Sequence, residues 1–131
     1  MWSVPAALAV ILAMDAAWFS VSVPRIYSPA FSRVIGKSWA FKASPPNILS
    51  AVAVYVLMGF MARHAAVRST TAARAASTGA VAMAAAFAVY NLTNMSVFGV
   101  SEWGLATALV DTAWGAAVGA ASAAAAFAVM R

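Results

Sequence analysis

Two short stretches repeat one arrangement of an acid and an indole. Asp15-Ala16-Ala17-Trp18 and Asp111-Thr112-Ala113-Trp114 both read D-x-A-W. Residues three apart share a helix face, so in a helix each aspartate lies on the face of its own tryptophan. A third polar stretch, Tyr90-Asn91-Leu92-Thr93-Asn94, supplies a phenol, a hydroxyl and two amides. All three sit inside long apolar runs. An acid at mid-bilayer costs about 2.5–3.5 kcal/mol on insertion scales, so each one needs an account.

Two chemistries fit this set. In one, Asp15 and Asp111 bind a cation or exchange a proton, with Asn91 and Asn94 as neutral partners. In the other, the carboxyls, Tyr90, Thr93, the two asparagines and the indole N–H groups of Trp18 and Trp114 bond to one another and lock helices together. No third charge completes a relay between the acids.

The remaining inventory is narrow. The chain has no cysteine, one histidine and three carboxylates. That removes disulfides, thiol catalysis and Cys-ligated metals, and leaves no complete catalytic constellation and no metal set. The expectation is a protein that is not an enzyme. His64, beside Arg63, is the one residue that could ligate haem iron or the magnesium of a chlorophyll; nothing in the sequence requires either cofactor. With a single histidine, bis-His haem ligation needs a dimer.

The elements that position these groups follow from composition. Of 131 residues, 65% are hydrophobic and 8% charged, against about a quarter charged in an average soluble domain. Four apolar stretches, approximately 4–23, 47–62, 75–95 and 104–130, read as transmembrane helices of a single membrane domain spanning 1–131. The fold class expected is all-α: an antiparallel bundle of four spans, multi-pass, with both termini on one side of the membrane. Pro24 and Arg25 mark the end of the first span, and Pro45-Pro46 precede the second. The N-terminus lacks the basic region of a secretory leader, so the first stretch is expected to be a retained helix. Alternating direction then brings Asp15, the 90–94 stretch and Asp111 to one half of the bundle, with Asp15 about 13 Å from the end of its span.

The net charge of +5 lies between apolar stretches, which points to lipid headgroups rather than nucleic acid. The basic residues divide evenly between the two sides, Arg25, Arg33, Lys37 and Lys42 against Arg63, Arg68, Arg74 and Arg131, so charge selects no orientation. In the 24–46 connection, Tyr27, Phe31, Val34, Ile35 and Trp39 recur at helical spacing. This pattern suggests an interfacial amphipathic helix between the first and second spans, with an ordered loop carrying aromatic anchors as the alternative. Trp2, Trp39 and Trp103 read as interface anchors.

Alanine occurs 36 times. Small residues let membrane helices approach closely, and Gly115-Ala-Ala-Val-Gly119 is a G-x-x-x-G that marks a helix contact, inside the bundle or between molecules.

The three polar motifs, in this order, carry a family resemblance. The chain resembles the small four-helix membrane proteins grouped as domain of unknown function 2177. That pattern has D-x-x-W in the first span, Y-D-L-T-N at the end of the third and D-x-A-W-G in the fourth. Here these stand as Asp15 to Trp18, Tyr90 to Asn94 and Asp111 to Gly115, and the region around Tyr27 is also similar. Asn91 replaces the usual aspartate, which removes one acid from any inherited ion or proton chemistry. The resemblance implies a four-helix fold and no established activity.

The residues therefore favour a non-catalytic accessory subunit packed within a larger membrane complex, a respiratory or photosynthetic one for example. Its partners would be the lipid bilayer and either other membrane subunits or copies of itself. The competing reading is a small ion- or proton-coupled transporter that uses Asp15 and Asp111. A membrane enzyme or lipid-binding protein built on the same acids is a third.

Overall fold

The computed structural model describes residues 2–40 and 42–131. Those residues form helices and connections, with no strand among them. The helices are α1 (Ser3–Ser22), α2 (Ser28–Ile35), α3 (Pro45–Val67), α4 (Ala72–Phe98) and α5 (Leu105–Ala128), and one π turn, Val23–Tyr27, joins α1 to α2. Four helical stretches among the described residues are long and apolar enough to cross a membrane: Ser3–Ile35, Pro45–Val67, Ala72–Phe98 and Leu105–Ala128. The chain is thus an all-helical membrane protein in contact with lipid.

The first stretch passes through Pro24 and Arg25, where the sequence suggested an end. Proline has no N–H, and its ring crowds the carbonyl four residues back. The helix widens instead of stopping, and the Ser28 N–H reaches the Val23 carbonyl, five residues back. The extra residue changes which side chains face inward. Ser3, Ala7, Ile11 and Asp15 recur every four residues on the buried face, which continues to Ser22. Another step of four would bury Ile26. The inserted residue buries Tyr27 in its place, followed by Ala30.

Helix α2 stops at Gly36, whose φ of +66° favours a residue without Cβ. Trp39 therefore lies beyond the helix and not on its apolar face. The chain doubles back there: the Trp39 N–H donates to Ser32 Oγ (3.0 Å), and Ser28 Oγ donates to the Trp39 carbonyl (3.2 Å). Pro45 and Pro46 open α3 at positions where a missing N–H breaks no helical bond. Thr71 caps α4, its Oγ1 accepting from the Arg74 N–H at 3.1 Å.

Packing proceeds in layers. At one end, Ala7, Ala62, Ala65, Ala66, Ala123 and Ala126 form a cluster of small side chains. Next come Ile11, Met58, Met83 and Val118, bordered by Tyr55, Phe87 and Trp114. The closest helix pair is α4 with α5. Ala75, Gly79, Met83, Phe87 and Asn91 lie along one row of α4 at a spacing of four. Gly79 faces the Gly119 carbonyl, and Gly119 faces the Gly79 carbonyl and Met83. Gly115 lies against Phe87. Both glycines of the G-x-x-x-G motif therefore face α4 within the same molecule.

A Cβ at Gly79 or Gly119 would meet backbone, which no rotamer change relieves. Gly79→Val and Gly119→Val are expected to destabilise the bundle by about 1–3 kcal/mol each, read as a lower thermal midpoint in detergent. Gly104→Ser, at a site with open space around it, should leave the midpoint unchanged. Equal midpoints for all three would show that the two helices do not meet at these glycines.

Candidate functional site

Beyond the Ile11–Met58–Met83–Val118 layer lies a polar one. Asp15 and Asp111 are each 5% exposed, and Asn91 is 1% exposed. Asp15 reaches this layer on the four-residue row of α1, Asn91 at the end of the row of α4, and Asp111 on the buried face of α5, one turn before Gly115. The π turn brings Tyr27.

The two D-x-A-W motifs pair crosswise. Trp114 Nε1 donates to Asp15 Oδ1 at 2.8 Å, so the indole of α5 serves the acid of α1. Trp18 Nε1 donates to the Tyr27 hydroxyl at 3.2 Å, and that hydroxyl donates to Asp111 Oδ1. The indole of α1 thus serves the acid of α5 through one phenol. The two indoles stack, with centroids 4.8 Å apart and planes 13° from parallel. Sharing a face with its own tryptophan did not make either aspartate that tryptophan's partner.

Asn91 completes the set. Its Nδ2 donates to Asp111 Oδ2 at 2.7 Å and to the Phe87 carbonyl at 2.8 Å. Its Oδ1 accepts from Trp103 Nε1 at 2.9 Å. Trp103 is fully buried, so it is a member of the polar layer and not the interface anchor that its place beside Glu102 suggested. Tyr55 of α3 brings its hydroxyl to the Asp15 carboxyl. These bonds reach the carboxyls from neutral donors only: indole, phenol and amide.

Three residues expected in the cluster lie outside this network. Tyr90 and Thr93 are exposed. Tyr90 packs edge-on against Trp103, centroids 5.9 Å apart, and its hydroxyl lies by Asn94. Asn94 is half-buried, and its Nδ2 has no hydrogen-bond partner among the described residues, as is also true of the fully buried Ser22 Oγ. His64 is exposed on the last turns of α3, toward the alanine-rich end and away from the polar layer. Among the described residues, no three His, Asp or Glu side chains are placed to hold a metal ion.

The direction of the bonds limits what the layer can do. Asp111 accepts from Tyr27 and from Asn91. Behind these stand Trp18 and Trp103, and an indole N–H donates without accepting. Both arms therefore point into Asp111 and end on donor-only groups. A proton relay needs each member to pass a proton onward, and this chain of bonds converges.

The predicted membrane protein family DUF2177 has a model that matches residues 1–128. The chain belongs to this family. No curated protein and no solved structure matches the chain. Asn91 carries an amide where the motif that the sequence resembles has aspartate. The amide donates to Asp111, a bond that an ionised carboxylate at this position could not make.

The sequence pointed to five members of the layer: Asp15, Trp18, Asn91, Asp111 and Trp114. It missed the roles of Tyr27, Tyr55 and Trp103. The signal for Tyr27 was Pro24 and Pro29, five apart and flanking the widened turn. Tyr55 and Trp103 carried no sequence signal.

Tyr27→Phe removes the hydroxyl that Trp18 and Asp111 share. The expected loss is about 1–3 kcal/mol, from polar groups left without partners, measured by unfolding in mixed micelles. A double-mutant cycle of Trp18→Leu and Trp114→Leu should give a coupling energy of about 0.5–1.5 kcal/mol for the stacked indoles; additive losses of stability would exclude the stack.

Proposed function

We propose that this DUF2177 protein is a non-catalytic membrane subunit whose polar layer fixes its own helices, leaving its outer surface to pack against other membrane protein. The observation that carries this reading is the outer face of α4. Of the four apolar stretches, α4 buries the least of its length inside the chain. Toward its start its exposed positions are mostly small, Ala72, Ala73, Ser77, Thr78, Ala85 and Ala86, while Val81, Val89, Leu92, Val97 and Phe98 are exposed along the rest. Helix α3 by contrast exposes Ile48, Leu49, Val52, Leu57 and Phe60, as suits acyl chains. Ser77, Thr78, Val81 and Ala82 lie together on the outer surface of α4. Small residues and hydroxyls on a membrane helix suit contact with another helix better than contact with lipid.

The rest of the reading follows from the layers. Ala7, the end of α3 and Ala126 share one layer, and Arg131 donates to the Ser69 carbonyl at 3.3 Å. This supports an antiparallel path with both termini at the alanine-rich end. The α2 segment and the doubled-back Trp39 then lie at the other surface, consistent with an interfacial segment.

The carrier reading rests on the two buried carboxyls, since acids inside a membrane mark ion or proton paths by default. Against it stands the engagement of Asp111, each of whose oxygens already accepts a bond from the chain itself.

Isolation in mild detergent tests the proposal directly. A subunit should co-migrate with partners in fixed ratio and survive a salt wash; a species holding only this chain would overturn it. Asp15→Asn should be tolerated in stability and assembly, because its amide oxygen still accepts from Trp114, whereas Asp111→Asn keeps one acceptor for two donors and should lose about 1–3 kcal/mol. Asp111→Leu should disrupt folding. In vesicles, proton or cation flux that depends on Asp15 or Asp111 would establish the carrier reading instead.

A further inference from the structure

The connection between Pro24 and Pro46 holds Arg25, Arg33, Lys37 and Lys42 and no acid. Lys37 and Lys42 line a cavity of 260 Å³ together with Ser38, Asn47, Ile35 and Trp39. Bonds on both sides hold its shape. Ser28 and Ser32 fasten Trp39 to α2, and Phe31 packs on the indole with centroids 4.8 Å apart. On the other side, Asn47 Nδ2 and the Ser44 N–H both donate to the Lys42 carbonyl at 2.8 Å, fastening the chain to the start of α3.

The cavity is chemically mixed. Ile35 ends α2, and Asn47 lies in the first turn of α3, just before the exposed apolar pair Ile48 and Leu49. Ile35, Trp39 and Ala40 are its apolar lining residues; Lys37, Ser38, Lys42 and Asn47 are its polar ones. Arg33 is engaged elsewhere, its Nε donating to the Glu102 carbonyl at 3.2 Å. Among the described residues neither lysine ammonium has a partner within the chain, so two positive charges at the mouth of the cavity are uncompensated.

We propose that this cavity binds the headgroup of an anionic phospholipid. Lys37 and Lys42 hold the phosphate, Ser38 and the second Nδ2 hydrogen of Asn47 donate to it, and Ile35 and Trp39 face the glycerol and the first methylenes. The apolar lining residues and the position at the ends of two spanning helices favour a lipid over free phosphate, because headgroups and aromatic side chains share that depth.

The test uses the full chain reconstituted in phosphatidylcholine vesicles containing a minor fraction of phosphatidylglycerol. Native mass spectrometry after mild detergent extraction counts retained lipid. The wild type should keep one phosphatidylglycerol in preference to phosphatidylcholine. Each lysine near a membrane surface contributes about fivefold in affinity, so Lys37→Gln and Lys42→Gln should each lower retention by about fivefold, and the pair by about twenty-five-fold. Arg63→Gln with Arg68→Gln removes the same charge at the other end and should leave retention unchanged. Circular dichroism checks that every variant is folded, and the single variants keep the test open if the pair is not. Selective retention by the Lys37/Lys42 pair variant, or an equal loss in the Arg63/Arg68 pair, would overturn the site. Displacement of the lipid by excess inorganic phosphate would assign the cavity to free phosphate and overturn the lipid.

Discussion

The structure depends on supplying hydrogen-bond donors to Asp111 inside hydrocarbon. Water is absent there, and a polar group left unbonded costs several kcal/mol. Each donor makes a demand on the fold. Tyr27 reaches Asp111 only because one extra residue in the Val23–Tyr27 turn rotates it inward. Asn91 reaches it only because α4 and α5 lie close together, which Gly79, Gly115 and Gly119 allow. Trp103 must be drawn fully inside to satisfy the far end of Asn91. The widened turn, the glycine contact and the buried loop tryptophan are thus three local departures with a common consequence.

The crossed pairing makes these demands mutual. Were each tryptophan bonded to its own aspartate, each motif would be complete within one helix and would add no polar tie to the apolar packing of α1 on α5. Exchange of partners turns two intrahelical neighbours into two interhelical bonds, and stacks the indoles between them. Such aromatic pairs contribute about 0.5–1.5 kcal/mol beyond their area. This matters in a bilayer, where burial of apolar surface does not drive helices together and packing with hydrogen bonds must do so.

Four apolar stretches were legible in the sequence, because a run long enough to cross hydrocarbon with at most one charge is too apolar for a helix that faces water. That Asp15, Asn91 and Asp111 come together was also legible, since each stands out as a polar residue within an apolar stretch. Membership in the layer was legible for residues fixed by helical period. A step of four from Ala75 selects Asn91 and passes over Tyr90 and Thr93, which the structure leaves exposed. Adjacency in the chain groups all of these together, but adjacency in a helix spreads side chains around the axis. Partner choice was not legible. Whether Trp18 bonds Asp15 or reaches toward Asp111 depends on how two helices face each other, and no spacing within either helix encodes that. Trp103 misled for a different reason: a tryptophan beside a charge at a span end has the composition of an anchor, and only the unfilled oxygen of Asn91 distinguishes its role.

Bond direction then separates two roles that composition leaves together. A buried carboxyl pair is equally the start of a proton path and the centre of a lock. A path needs alternation, each group accepting from one neighbour and donating to the next. Here phenol and amide both donate to Asp111, and each is backed by an indole that cannot accept. The bonds of the layer thus run between the chain's own helices, and each carboxyl is held by groups from elements other than its own helix.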